Sequence, residues 1–229
     1  MGEQLRRAFR YERKFLVERM DAHQIRALVK RHPSMFYAPY PPRYVNNLYL
    51  DTQDLQNYHD NVSGVGARRK ARIRWYGDLF GAIQAPALEF KIKRGLVGAK
   101  QIYALPAFTL DDRFDNGRYQ ALLARAQLPA DVHAYVRHLR VVLCNRYYRW
   151  YFATHDGRFR VTVDAGMVFY RVKRARNRFR CRYADLRHVV VELKYPKASD
   201  LQAERVSRFF PFSLSKNSKY VTGIETVYA

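Results

Sequence analysis

Ala67-Arg68-Arg69-Lys70-Ala71-Arg72-Ile73-Arg74-Trp75-Tyr76 carries four cations at alternate positions and apolar residues between the last of them. Successive side chains of a β-strand point to opposite faces, so Arg68, Lys70, Arg72 and Arg74 share one face while Ala71, Ile73 and Trp75 share the other. The period of two predicts a strand with a core-facing side. Its second face holds cations alone, which is hard to stabilise unless an anion lies among them.

The same split recurs along the chain. In Leu88–Arg94, Glu89, Lys91 and Lys93 oppose Leu88, Phe90 and Ile92; in Tyr11–Val17, Glu12 and Lys14 oppose Arg13, Phe15 and Val17. Arg158, Arg160, Thr162 and Asp164 oppose Phe159, Val161 and Val163, and Glu192 and Lys194 oppose Val189, Val191 and Leu193. A single strand of this kind is an ordinary sheet with one wet face. Five of them with cations in excess predict a surface that converges on a polyanion.

Further period-two segments at Tyr44–Asp51, Lys100–Leu105, Leu139–Ala153 and Met167–Lys173 predict strands, and Asp21–Arg31, Thr52–Tyr58, Tyr119–Ala126 and Ser199–Phe209 predict helices. The plan is α+β, a large antiparallel sheet with a few packed helices. Closed into a barrel with the charges inside, it is a basic tunnel with flanking helices; left open, it is a flat basic surface suited to nucleic acid.

Composition bounds the alternatives. Across 229 residues, 42 Lys and Arg against 20 Asp and Glu give a net charge of +22, and 31 of the 42 are Arg, whose planar fork matches phosphate oxygens. A chain that is 48% hydrophobic can bury a core, which excludes disorder as its main state. The lack of internal repeats or a long Pro/Gly/Ser linker predicts one domain over 1–229. No run of about 18–20 apolar residues and no signal-peptide core are present, so a soluble cytoplasmic protein without a membrane segment of its own is expected. Cys144 and Cys181 stand far apart and the histidines form no H-E-x-x-H pattern, which argues against a zinc site or a disulfide framework.

Taken in order, Glu12–Phe15 (E-R-K-F), Arg72–Gly77 (R-I-R-W-Y-G), Glu89–Lys93 (E-F-K-I-K), Asn145–Tyr148 (N-R-Y-Y), Arg160–Asp164 (R-V-T-V-D), Val191–Lys194 (V-E-L-K) and Ser215–Tyr220 (S-K-N-S-K-Y) form a series of motifs. The series resembles the catalytic domain of the vacuolar transporter chaperone (VTC) polyphosphate polymerases, members of the triphosphate tunnel metalloenzyme superfamily. The resemblance runs from Tyr11 to Gly223. It implies an antiparallel β-tunnel that transfers the γ-phosphoryl of ATP to a growing inorganic polyphosphate chain with Mn2+ or Mg2+. It further implies phosphate-holding roles for Lys14, Arg72, Arg74, Lys91, Arg146, Arg160, Lys216 and Lys219, a hydroxyl ligand in Ser218 and a metal-binding carboxylate in Glu192. Membrane coupling or regulation would then require partner subunits, and the chain reads as a stand-alone catalytic domain.

Two other functions stay open at this level. Tunnel hydrolases of the superfamily open with E-x-E-x-K, whereas this chain has Arg10-Tyr11-Glu12-Arg13-Lys14, with Arg in place of the first Glu. Losing a carboxylate that could activate water favours transfer to a polyphosphate end, which is already an oxyanion. A non-enzymatic binder of polyanions or RNA would explain the charge, yet no nucleic-acid recognition motif is visible and specific nucleic acid is not expected. Arg178, Arg180 and Arg182 read as a solvated basic run, possible at a tunnel mouth.

Overall fold

A computed structural model describes the backbone at residues 10–94, 97–173, 177, 179–180 and 182–229, and the side chains of these except 10, 93, 94 and 97–99. Arg178, Cys181 and the side chains of Arg10 and Lys93 therefore lie outside the described residues.

The strands are β1 (Arg10–Val17), β2 (Arg43–Asp51), β3 (Ala67–Tyr76), β4 (Gly81–Ile83), β5 (Ala87–Arg94), β6 (Val97–Ala104), β7 (Phe108–Leu110), β8 (Arg140–Ala153), β9 (Arg160–Arg171), β10 (Arg182–Asp185) and β11 (Val189–Pro196). The helices are α1 (Ala22–Lys30), α2 (Gln56–Val62), α3 (Asn116–Ala124), α4 (Ala130–Val136), α5 (Asp200–Arg208) and α6 (Lys219–Tyr228). All ladders are antiparallel, in the order β1-β11-β9-β8-β2-β3-β5-β6, with β10 added to β9 and β4-β7 forming a separate small ribbon.

The sheet curls into an open half-barrel. Its curl is measured by one contact: Lys91 on β5 reaches Glu12 on β1 at 3.3 Å, although those strands lie near opposite ends of the ladder. The apolar parity of each strand faces outward onto helices. Leu48, Ala71, Ile73, Leu88 and Phe90 pack with Tyr119, Leu122 and Leu123 of α3 and Val132 and Val136 of α4. Phe15, Val161, Val191 and Leu193 pack with Ile25 and Val29 of α1 and Ala203 and Val206 of α5.

Strand β9 joins two stretches that the sequence pattern separates. Gly166 takes φ +61 beside a register shift between Arg146 and Tyr148 of β8, a bulge that reverses the parity of β9. Arg160, Thr162 and Asp164 before it thus face the same side as Met167 and Phe169 after it. Helix α2 begins at Gln56, later than the expected Thr52, because the buried Asp51 carboxylate accepts from the backbone N–H groups of Thr52, Asn57 and Tyr58 and so sets the turn.

The sequence pattern also left α4, α6, β4, β7 and β10 unassigned. Helix α6 matters most, since it lies on the inner face, with Tyr220, Ile224 and Val227 against Leu143, Met167 and Phe169. Close approach depends on Gly223, where a Cβ would come within 2.4 Å of a Leu143 methyl and 2.7 Å of the Phe169 ring. An exposed helical Gly→Ala exchange gains about 1 kcal/mol; here overpacking should reverse the sign. Gly223→Ala is expected to lose about 1–3 kcal/mol in urea unfolding, and a more stable variant would contradict the packing.

Candidate functional site

The inner face is organised around shared carboxylates. Glu89 on β5 lies directly opposite Arg72 on β3 and accepts from its Nε and Nη2 at 2.9 and 2.7 Å. Arg74 Nη1 reaches the same oxygen at 3.4 Å and Lys100 of β6 the other at 2.7 Å. Burial would raise the Glu89 pKa, but Arg72, Arg74 and Lys100 hold it far below the usual carboxylate range. Arg74 also donates to Asn47 Oδ1 at 2.9 Å and to the Tyr147 hydroxyl at 3.3 Å, which fixes its plane.

On β1 and β11 the charges form a checkerboard, with Glu12 opposite Lys194 and Lys14 opposite Glu192. Lys14 Nζ lies 3.0 Å from Glu12 and 3.5 Å from Glu192. Glu192 also meets Lys194 at 2.7 Å, Arg149 at 3.8 Å and Lys219 at 4.0 Å. Asp164, fully buried on β9, takes Arg149 Nη2 at 2.6 Å and Lys219 Nζ at 2.7 Å. Burial and the neighbouring Glu192 push the Glu12 pKa up, yet Lys14, Lys194 and Lys91 outweigh them and hold it at about 2. Burial also opposes ionisation of Glu192, whose pKa nevertheless stays well below normal because of Lys194, Lys14, Lys219 and Arg149.

Three lysines stand side by side where the ladder pairs Lys70 with Lys91 and Lys91 with Lys100. Lys91 is matched by Glu12 and Lys100 by Glu89, but Lys70 makes no ion pair among the described residues and donates instead to Ser218 Oγ at 3.0 Å. Burial, then Lys14, Lys91, Arg68 and Arg72, push its pKa down to about 7. Among the described residues, eight lysine and arginine side chains contact four carboxylates on this face, and Lys70 stands beside them without one.

Residues 214–218 close the seam between β1 and β3. Leu214 bridges to Phe15, Ser215 N–H donates to the Lys14 carbonyl at 2.9 Å, and Lys14 Nζ donates to the Asn217 carbonyl at 3.1 Å. Ser218 then caps α6. Asn145 Nδ2 and Thr162 Oγ1 are among the buried polar atoms that find no hydrogen-bond partner among the described residues. Asn145 sits beside Asn47 at 2.8 Å, and Thr162 pairs with Glu192 across the ladder, so both lie among the cations.

Of the residues expected from sequence, Lys14, Arg72, Arg74, Lys91, Glu192, Ser218 and Lys219 come together here. Arg146 does not. It lies on the outer face, its guanidinium 3.5 Å over the Tyr44 ring, because from Leu143 onward the odd positions of β8 point inward. Arg149, three residues on, is the β8 cation that reaches the cluster. Arg160 shares the inner face but sits exposed at the start of β9, and Lys216 is exposed on the seam segment; neither forms an ion pair among the described residues. Lys70, Lys100, Asn145, Arg149, Thr162 and Asp164 join the site without having been assigned to it, although Lys70 and Asp164 were legible by parity. Arg180 and Arg182 are exposed, as expected of a solvated run.

No group of three or more His, Cys, Asp or Glu converges among the described residues. The Glu12 and Glu192 carboxylates do converge on one cationic point, the Lys14 ammonium. Such a donor set fits a hard cation that shares phosphate oxygens, rather than an all-protein cage.

A family model described as the VTC domain matches residues 9–228. Solved structures with a similar fold include a candidate adenylate cyclase from Vibrio parahaemolyticus, at 13% identity and TM-score 0.51, covering 94% of this chain and 98% of that one. The PH1819 protein from Pyrococcus horikoshii OT3 aligns at 11% identity and TM-score 0.52, covering 94% of this chain and 99% of that one. A candidate adenylyl cyclase from Hippeastrum, described as having a dominant triphosphatase activity, aligns at 15% identity and TM-score 0.52 over 95% of each chain. A search of curated protein sequences finds no match.

The crowded lysine row has a pH signature. Lys70 titrates near 7 in the folded protein and at its ordinary 10.5 when unfolded. Between those values the unfolded chain holds the extra proton, so this group favours folding more as pH rises; below about 7 its penalty is fully present. Lys70→Met should therefore raise the melting temperature at pH 6, by about 2–4 °C per kcal/mol relieved, with a smaller gain at pH 9. Equal gains at both pH values in a thermal melt would show that Lys70 is not the strained cation.

Proposed function

Because the chain belongs to the VTC domain family, whose match covers nearly all of it, we propose that it is a metal-dependent phosphotransferase moving the γ-phosphoryl of ATP onto the end of an inorganic polyphosphate chain held in the tunnel. The carrying observation is the surplus of cations over carboxylates on an enclosed face that also holds the unpartnered Asn145 Nδ2 and Thr162 Oγ1. Phosphoryl transfer asks a protein chiefly for alignment of the phosphates and neutralisation of the charge on their oxygens. Arg72 and Arg74, with their planes set by Glu89 and Asn47, suit alignment. Lys91 beside them on β5, and Lys14 and Lys219 facing them, suit neutralisation, and Ser218, Asn145 and Thr162 can donate to phosphate oxygens. The exposed Arg160 and Lys216 would receive the chain at the ends of the site. Arg146 is left out of this set, since it lies on the outer face.

A divalent cation, Mn2+ or Mg2+, would be held by Glu192 with Glu12 beside it and would supply further neutralisation of the phosphate oxygens. Both carboxylates are held ionised far below neutrality, which makes them poor proton acceptors for an attacking water. A polyphosphate end needs no such base. This favours transfer over hydrolysis, while the triphosphatase activity ascribed to the Hippeastrum neighbour keeps hydrolysis as the second reading. No helix among the described residues is long and apolar enough to cross a membrane.

The test is incubation with ATP and Mn2+, with and without a short polyphosphate primer, resolving ADP, free phosphate and polyphosphate on a gel. ADP with long polyphosphate is expected, falling by about 100-fold or more in Arg72→Ala or Glu192→Gln while both variants still melt cooperatively. ADP with free phosphate alone would make the protein a tunnel hydrolase, and no turnover would reduce it to a polyanion binder.

A further inference from the structure

Beyond the charged rows, the inner face carries a stacked group of arginine and tyrosine side chains. Arg43, the first residue of β2, lays its guanidinium 3.6 Å from the centre of the Tyr76 ring at the end of β3. It also lies 5.3 Å from the Tyr151 ring of β8 and donates from Nε to the Tyr151 hydroxyl at 3.1 Å. Tyr40, in the loop before β2, meets Tyr151 edge-on at 6.0 Å. Tyr76 is 46% exposed and Tyr40 63%, so flat apolar surface is presented to solvent.

Parity puts this group inside. Arg43 follows the parity of Asn47, Tyr76 that of Arg74, and Tyr151 that of Arg149. The ladder then ties it to the reacting end, because Tyr151 pairs with Thr162, Thr162 with Glu192 and Glu192 with Lys14. Tyr151 is therefore two strand spacings, about 10 Å, from Glu192. Arg43 forms no ion pair with a carboxylate among the described residues, so its plane is held by the two rings and the Tyr151 hydroxyl. A similar stack of Arg146 on Tyr44 lies on the outer face, with the sheet between it and the cations, and does not share this placement.

We propose that Arg43, Tyr76 and Tyr151, flanked by Tyr40, form a platform for the base of a nucleoside triphosphate whose phosphates lie among the inner cations. The inference rests on the triphosphate reading above and adds what the rest of the nucleotide touches. Bases stack on aromatic rings and on arginine planes whatever their edge pattern, so the platform distinguishes a nucleotide from a bare phosphate chain more than one base from another. It also gives ATP, as phosphoryl donor, a grip that polyphosphate lacks, so that donor and acceptor ends of the tunnel are not equivalent.

The experiment is titration calorimetry of ATP, GTP and inorganic tripolyphosphate, each as its magnesium salt, into wild type, Arg43→Ala and Tyr76→Leu. Each variant should weaken ATP and GTP about ten-fold and leave tripolyphosphate within two-fold, the tripolyphosphate arm also reporting that the variant is folded. Unchanged ATP affinity in both variants overturns the platform. Equal weakening of ATP and tripolyphosphate does so too, since it would make Arg43 a general electrostatic group. If wild type binds neither ligand, the triphosphate reading itself fails and the platform falls with it.

Discussion

Like charges brought together on an enclosed face repel, and that repulsion is what the rest of this molecule is arranged around. The surplus is not dispersed to solvent. Four carboxylates each serve at least two cations, as Glu89 does for Arg72, Arg74 and Lys100 and as Glu192 does for Lys194 and Lys14. Sharing fixes guanidinium and ammonium groups in place while leaving their remaining donors unspent. An isolated surface ion pair contributes little and orders nothing. A buried carboxylate ringed by cations cannot be removed without leaving uncompensated charge, so the same contacts that stabilise the fold keep the site cationic.

Closing the face falls to a short irregular segment rather than to a strand. Residues 214–218 follow β1 for only a bridge and one further hydrogen bond, then place Asn217 and Ser218 within reach of Lys14 and Lys70 from opposite walls. Helix α6 anchors that segment through Gly223 against Leu143 and Phe169, and through the Tyr220 hydroxyl, which donates to the Asp51 carboxylate that also organises α2. Packing of the C-terminal helix and the position of two inward-facing lysine side chains are thus one structural fact. The polar inner wall and the apolar seat of α6 are neighbouring halves of the same curved surface.

Much of this was readable from alternation. Parity in β1, β3, β5 and β11 separates core from charge correctly, because regular pleating leaves each side chain only two directions. Where pleating is interrupted, parity fails: the Gly166 bulge reverses β9, and no local pattern announces it. Arg146 was assigned to the tunnel by its motif, yet its even position on β8 turns it outward and makes Arg149 the inward cation. The seat of Glu12 between Lys14 and Lys91 depends on the curl of the whole sheet, which no single strand encodes. Helix α6 could have been found: Tyr220, Gly223, Ile224 and Val227 repeat at helical spacing behind a serine cap. Asn145 and Thr162 had no such signal, since only the assembled sheet sets them among the cations.

The connectivity of the half-barrel has a consequence for how the molecule comes into being. Strand β1 finds its ladder partner only in β11, and Arg13 bonds Tyr195 at a separation of 182 residues. Pairings this distant in sequence make folding slow, because chain entropy is lost before any contact rewards it. Throughout that interval β1 is an unpaired edge with Glu12 and Lys14 on one face and Phe15 and Val17 on the other, and an unpaired edge with exposed apolar residues is prone to misassociation. The shared carboxylates come into place only once the sheet has curled, since the Lys91–Glu12 contact joins strands near its opposite ends.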